Sequence, residues 1–347
     1  MAAVERALTG MWYGNGSAAL LLQPLAALYA AVTSVRRTLY EVGTLPSIWV
    51  GRPVIVVGNV TVGGTGKTPL VAWLAERLAQ RGVAVGILSR GYGSSARAPR
   101  LVDSQASWQE VGDEPLLLRN RTGRPTVVAA DRVAGARQLI EQGVEVILAD
   151  DGLQHLRLAR DCEIVVIDGA RGFGNGRLLP AGPLRESVAH IARADLVVVN
   201  GTPSHPTLKQ IAQLADGRCV QMTLIPGNAI PMDGRRTART LESFRGQRVH
   251  AVAGIGNPAR FFGDLRSRGL DVIEHPFPDH HPFTPGDLAF GDDAPVLMTE
   301  KDAVKCSAFA DARLWYVPVT ARFSEAHTSV VLERVIAKLG FAVDARG

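Results

Sequence analysis

Cysteine is scarce in this chain: Cys162, Cys219 and Cys306 are the only three in 347 residues. An odd, scattered set without metal-ligand spacing excludes a disulfide framework and reads as ordinary thiols in a reducing compartment. Runs of basic residues are also lacking. Although Lys+Arg exceed Asp+Glu by 38 to 33, with a pI near 9.4, no cluster is dense enough for a nucleic-acid groove. The excess instead favours acidic partners such as nucleotides, phospholipid surfaces or a phosphorylated substrate. No internal repeat or low-complexity segment stands out. Ala18–Val32 is nearly uncharged and broken by Gln23-Pro24, and as a helix it would span roughly 22 Å, short of the ~30 Å hydrocarbon core. It has no cleavage site of the secretory kind. With Trp12 and Tyr13 before it and Arg36 and Arg37 after it, the stretch reads as a helix in contact with a membrane interface; a helix packed on the protein body is the alternative.

What is present points to a folded α/β protein. A hydrophobic fraction of 46% with 20% charged residues suits a globular chain, and the length suggests two domains. Val54–Val57 is a β-branched run typical of a buried strand. After it come Gly58, Gly63, Gly64 and Gly66, then Lys67 and Thr68, then apolar residues at helical spacing (Leu70, Val71, Leu74, Leu78). Strand, glycine-rich turn, Lys-Thr and helix form the context of a phosphate-binding loop. There the backbone N–H groups and the helix N-terminus surround phosphate oxygens, Lys67 reaches the β/γ-phosphates and Thr68 binds Mg²⁺. One departure is Thr61, where the general pattern has its first glycine. A glycine-rich helix cap is the plain alternative.

Strands alternate with helices beyond this point. Val83–Ser89, Thr126–Ala130, Val146–Ala149, Ile164–Asp168 and Leu196–Asn200 read as strands, and Val133–Gln142 as a helix. The pattern implies a parallel sheet covered on both faces, with its site at the carboxyl ends of the strands. Lys67, Arg90, Asp113 and the Asp150-Asp151 pair would then face one crevice. Periodicity weakens around Thr202–Gly246, which marks a domain junction. A second α/β unit follows, with strands at Val249–Ala253, Pro295–Met298 and Leu314–Val317 and helices at Ala259–Arg268 and Val330–Leu339. The expected division is an apolar N-terminal segment 1–35, a nucleotide-binding domain 36–225 and a smaller domain 226–347.

Several residues suit chemistry. An apolar strand ending in Asp150-Asp151 matches the carboxylates that hold Mg²⁺ in phosphate-loop enzymes, though paired acids also cap helices. His155 lies near in sequence and is equally well a structural residue. Asp113-Glu114 stands at a helix start, where acids are frequent as caps. An acceptor hydroxyl gains from a positioned base, and an Asp oriented against a His, such as His280, is a natural one. The loop Leu179–Glu186, with two prolines, Arg185 and Glu186, suits the positioning of a substrate or metal.

Eight blocks occur in order: GNVTVGGTGKTP, SRGYG, GDEP, ADDGLQH, LLPAGPLRE, AGIGNPxRFF, FPDHH and TEKDAVK. Together they closely resemble the tetraacyldisaccharide 4′-kinases, the lipid A 4′-kinases of Gram-negative bacteria, from about Trp12 to about Leu339. Thr61 is part of that family's own pattern. The resemblance implies transfer of the ATP γ-phosphate to the 4′-hydroxyl of a tetraacylated glucosamine disaccharide 1-phosphate, with Mg²⁺, at the cytoplasmic face of the inner membrane. It implies a glycolipid substrate and a membrane surface as partners; no protein partner is implied, and the charge distribution gives no nucleic acid. By motif, Thr61, Val62, Gly63, Gly64, Thr65, Gly66, Lys67 and Thr68 bind ATP. Thr68, Asp150, Asp151 and Glu186 match the metal site, and Asp113 and His280 the pair that activates the hydroxyl. His281 is the less fitting partner, because the match falls on the first His. Arg90 and Arg185 are weaker candidates for phosphate or substrate contact. A membrane-associated ATPase or nucleotide switch of the partitioning type is the rival, but it usually carries a second lysine where this chain has Val62.

Overall fold

The computed structural model describes residues 2–14, 17–103 and 105–340. Eight strands form the larger sheet up to its far edge: β1 (Val54–Gly58), β2 (Val85–Ser89), β3 (Arg100–Leu101), β4 (Thr126–Val128), β5 (Val146–Asp150), β6 (Cys162–Asp168), β7 (Leu196–Asn200) and β8 (Cys219–Pro226). The second sheet contains β9 (Ile230–Pro231), β10 (Arg248–Ala253), β11 (Asp271–Pro276), β12 (Val296–Thr299) and β13 (Leu314–Val317) in the order β11-β10-β12-β13-β9. A last strand, β14 (Val319–Arg322), returns to the larger sheet, whose order is β14-β8-β7-β6-β1-β5-β2-β4-β3. Apart from β3 and β14 at its edges the larger sheet is parallel, and β1 lies between β5 and β6.

Helices α1 (Ala2–Tyr13) and α2 (Gln23–Glu41) precede the sheet. Then α3 (Lys67–Ala79), α4 (Trp108–Val111), α5 (Asp113–Thr122), α6 (Arg132–Glu141) and α7 (His205–Ala215) connect its strands. The second unit carries α8 (Pro258–Ser267) and α9 (Glu300–Cys306), and α10 (Glu325–Ala337) follows β14. All residues of β1 are buried, but its two faces differ. Ile55 and Val57 pack with Leu70 and Leu74 of α3 and with Val331 and Val335 of α10. Val54 and Val56 pack with Val133, Ala136 and Leu139 of α6. That is why the strand is apolar throughout: a parallel sheet covered on both sides offers no polar face.

Two expectations need correction. The stretch Ala18–Val32 is not one helix, because Ser17–Leu20 forms a 3₁₀ turn and α2 starts at Gln23. Pro24 opens that helix rather than breaking one; its missing N–H costs nothing in a first turn. Residues 319–339, read with the smaller unit, lie in the larger one: β14 pairs antiparallel with β8, and Phe323, Val331 and Leu339 join the core beneath β1. The chain therefore crosses between the sheets twice, at neighbouring segments where Gly227 N–H donates to the Pro318 carbonyl at 2.8 Å.

The helix α2 buries little beyond Ala26. Leu25, Leu28, Val32 and Val35, at alternating spacings of three and four, form an outward stripe that Leu21 extends, each more than half exposed. Its polar side is tied down: Tyr29 Oη donates to the Arg185 carbonyl (3.0 Å), Arg36 to the Gln154 carbonyl (3.0 Å), and Arg37 pairs with Glu186 at 2.8 Å. Among the described residues no helix is long and apolar enough to cross a membrane.

Candidate active site

The two sheets present carboxyl edges to one crevice. From the larger sheet, β1 runs into the loop Asn59–Gly66 and then α3, β2 leads to Arg90, β5 to Asp150-Asp151 and β7 to Asn200. From the smaller one, β10 leads to the turn Gly254–Pro258, β11 to Asp279-His280 and β12 to α9. The phosphate loop needs its glycines. Gly66 caps α3 at φ +96°, and a Cβ there would stand 2.6 Å from Asn200 Nδ2, which donates to the Thr65 carbonyl at 3.0 Å. Gly63 has φ +100°, a conformation that side chains avoid. Thr61 is buried and extended, bridging to Leu184, while Val62 N–H donates to the Pro183 carbonyl at 2.8 Å. A β-branched residue suits that pairing, which accounts for the absent first glycine. Gly64 meets the other unit: a Cβ on Gly256 would lie 2.6 Å from its nitrogen, and Arg171 donates to the Gly256 carbonyl at 2.5 Å.

Lys67 opens α3, with Nζ 3.1 Å from Asn59 Oδ1 and 3.5 Å from Asp151 Oδ1. Thr68 follows it, half-buried. Asp151 adopts φ +50° and is gripped by Arg185, whose Nη1 and Nη2 donate to its two oxygens at 3.0 and 2.8 Å. Burial works against ionisation there, but Lys67 and Arg185 outweigh it and hold the carboxyl well below the usual range. Arg185 also donates to Asn59 Oδ1. Asp150 differs. Burial first and the charge of Glu114 second push it up to about 7, against the pull of Lys67. Both its oxygens are buried without a hydrogen-bond partner. Its carbonyl accepts from buried Arg132 at 3.1 Å. His155 is lowered to about 4 by burial, Arg132 and Arg90, so it stays neutral beside the site. Arg90 is exposed at the end of β2 and makes no side-chain bond among the described residues.

Glu186, the motif's further acid, pairs with Arg37 of α2 at 2.8 Å. In this bend Arg185 turns to Asp151 while Glu186 turns to Arg37 on α2. Among the described residues no three His, Cys, Asp or Glu side chains form a ready metal cage. The remaining donors are all oxygen, and the partnerless pair on buried Asp150 fits a magnesium ion, which takes one or two carboxylates plus substrate phosphates.

Asp113 begins α5 and is 3% exposed. Nδ1 of His280, from the other unit, lies 3.0 and 2.9 Å from its two oxygens. Burial would raise Asp113, yet the His280 hydrogen bond and the charges of Lys301 and Lys305 bring it down to about 2. Burial lowers His280, and the Asp113 bond more than compensates, so it rises above its ordinary value. His280 has φ +60°, and with Asp151 it supplies two of the three non-glycine positive-φ residues among those described. Such strain gathers at functional sites. Its ring lies 4.8 Å from that of Tyr92. His281 turns away to Asp287 at 3.3 Å. Sequence reasoning missed Asn59, Asn200, Arg132, Lys301 and Lys305. Only the TEKDAVK block hinted at the last two.

With this geometry in place, comparison with known proteins decides the family. The tetraacyldisaccharide-1-P 4′-kinase family model matches residues 18–337. The chain belongs to that family. A tetraacyldisaccharide 4′-kinase of Xanthomonas campestris pv. campestris is 49% identical over 339 residues, covering 94% of this chain and 95% of its own length. The enzyme of Alkalilimnicola ehrlichii is 51% identical over 319 residues, with 92% of each covered. A crystal structure of the Aquifex aeolicus kinase LpxK, described as an "apo" form in complex with ATP, superposes with a TM-score of 0.75 at 29% identity, covering 92% of this chain and 99% of that one.

Proposed function

We propose that the crevice between the two sheets is where this 4′-kinase joins its substrates, with Asp113 and His280 placed at the acceptor hydroxyl. The activity is ATP-dependent phosphorylation of the 4′-hydroxyl of a tetraacyl disaccharide 1-phosphate. Residues 61–68 hold the triphosphate through backbone N–H groups and Lys67. Magnesium, when bound, neutralises charge on the phosphates; Asp150, with free oxygens, and Thr68 would hold it, and Asp151 would orient Lys67 and Arg185 beside it. Glu186 would add a further carboxylate near the metal while its pair with Arg37 ties α2 to the site loop.

The attacking oxygen forms a bond to the γ-phosphorus, the bond from that phosphorus to the β,γ-bridging oxygen breaks, and ADP departs with the electron pair. The hydroxyl proton passes to Asp113. A carboxylate held near 2 is a weak base, so orienting the hydroxyl is the larger contribution, as expected for a loose transition state with little covalent demand. The exposed stripe of α2 supports association with a membrane surface, from which a glycolipid head group would reach the crevice. Closure of the smaller unit over the phosphate loop would exclude water, with Gly256 against Gly64.

The observation that carries this reading is the Asp113–His280 contact beside the phosphate loop. Transfer of radiolabelled γ-phosphate to a tetraacyl disaccharide acceptor tests it. Asp113→Ala should lower kcat by ~10²-fold or more with KM for ATP little changed. A collapse of ATP affinity with normal turnover of bound ATP would make Asp113 a structural cap.

A further inference from the structure

Two lysines one turn apart on α9 face the Asp–His pair. Lys301 Nζ lies 2.9 Å from Glu114 Oε1, 3.0 Å from Asp279 Oδ1 and 3.4 Å from His280 Nε2. The Lys305 side chain is wholly buried, 2.8 Å from Asp302 Oδ1 and 3.8 Å from Asp113 Oδ2. Asp302 is itself fixed, accepting from Gly254 N–H at 2.8 Å and Thr299 Oγ1 at 2.6 Å. A buried ammonium is costly, and an apolar side chain of similar volume generally serves stability as well or better. A wholly buried Lys305 and a partly buried Lys301 aimed at one carboxylate–imidazole pair therefore point to a task beyond packing.

We propose that Lys301 and Lys305 are positioning residues for the phosphoryl transfer: Lys301 sets which nitrogen of His280 carries the proton, and Lys305 holds Asp113 as a carboxylate. The inference rests on the reading of Asp113 and His280 as the pair at the acceptor hydroxyl. A carboxylate only accepts, so Nδ1 of His280 donates to Asp113. An ammonium only donates, so the nitrogen facing Lys301 is best occupied by a lone pair. The pair is faced by Glu114 from α5, by Lys301 and Lys305 from α9, by Asp279 from its own loop and by the Tyr92 ring. Of these, only the lysines oppose protonation. Lys301 opposes it at both members, acting on His280 and Asp113 alike, while Lys305 acts on Asp113. Four of the groups, Lys301, Lys305, Asp279 and His280, come from the smaller unit, so the arrangement exists only while the units are together.

The test uses the full chain in mixed micelles with the tetraacyl acceptor, measuring kcat and KM for ATP against pH. Variants are Lys301→Met, Lys301→Arg, Lys305→Met and the double variant Lys305→Met/Asp302→Asn, which removes both buried charges should the single change not fold. Loss of either cation should move the acidic limb of kcat up by ~1 pH unit, with KM within about twofold, and Lys301→Arg should restore most of it. Nitrogen-15 NMR of His280 gives a readout independent of turnover. Above neutrality the native ring should carry its proton on Nδ1 only, and in Lys301→Met the Nε2 proton should persist to higher pH. An unmoved limb, or a native ring protonated on Nε2 alone, would overturn the proposal. Full kcat in Asp113→Asn would count against the hydroxyl-binding reading, while the ring spectrum would still decide what Lys301 does.

Discussion

Arg185 holds Asp151 by a two-pronged contact, Nη1 to Oδ2 at 3.0 Å and Nη2 to Oδ1 at 2.8 Å. The fork satisfies the carboxylate, so Lys67, 3.5 Å away, is held loosely enough to swing to phosphate. Arg185→Ala should tighten Lys67 onto Asp151 and raise KM for ATP by ~10-fold, since nucleotide must then break a stronger pair. An unchanged KM in steady-state assays would show that Arg185 does not control Lys67.

Asp150 is an acid whose folded value, about 7, lies above its ordinary 3.8. Such a group weakens the fold as pH rises above ~4, and the penalty grows until the pH passes ~7. Asp150→Asn is expected to melt a few degrees higher than the native chain at about pH 8, with little difference near pH 4. Its magnesium-dependent turnover should fall ~10²-fold or more. Differential scanning fluorimetry without nucleotide checks the first outcome; a lower melting point would mean that the carboxylate is stabilised by its surroundings.

The Asp113–His280 bridge should make the union of the two units depend on pH from both sides. Asp113 is depressed, so its contribution is present above ~pH 4 and lost as pH falls towards 2. His280 is raised, so its contribution is complete below ~pH 6.5 and lost as pH rises through its folded value. The destabilisation caused by His280→Gln should therefore peak near pH 5–6 and shrink on either side. A melting-point difference independent of pH would sink this account.

How much of this was legible beforehand follows from which signals are local. The apolar strands and the glycine-rich joint before Lys67 carry their own pattern, and the phosphate loop sits where it predicts. The return of β14 and α10 does not: the strand Val319–Arg322 is short, and nothing in it names a partner sheet. The motif that carries Arg185 and Glu186 does not name their partners, since Arg37 lies 149 residues from Glu186 and Asp151 lies 34 from Arg185. Asn59 and Lys305 are of residue types common at strand ends and helix faces. Both fall inside motif blocks, but only tertiary contacts give them partners.

The stripe on α2 makes its own prediction. Each Leu or Val side chain buried in lipid contributes ~1.5–3 kcal/mol, so replacing Leu25, Leu28 and Val32 together by Asp should reduce liposome association by ~10²-fold or more. Turnover of a soluble short-chain acceptor should remain. Unchanged flotation with vesicles would leave the stripe without a membrane role.

The paired crossings at Gly227 and Pro318 mean that the smaller sheet is inserted into the larger unit by two adjacent tethers. A protease nick in either one leaves the fragments covalently joined through the other, so loss of His280 from the crevice requires two cuts. The same double attachment suppresses twisting about a single strand, leaving a bend across the pair as the softest motion. A swing of that kind would part Gly256 from Gly64 and His280 from Asp113 in one movement, coupling opening of the phosphate loop to separation of the Asp–His pair.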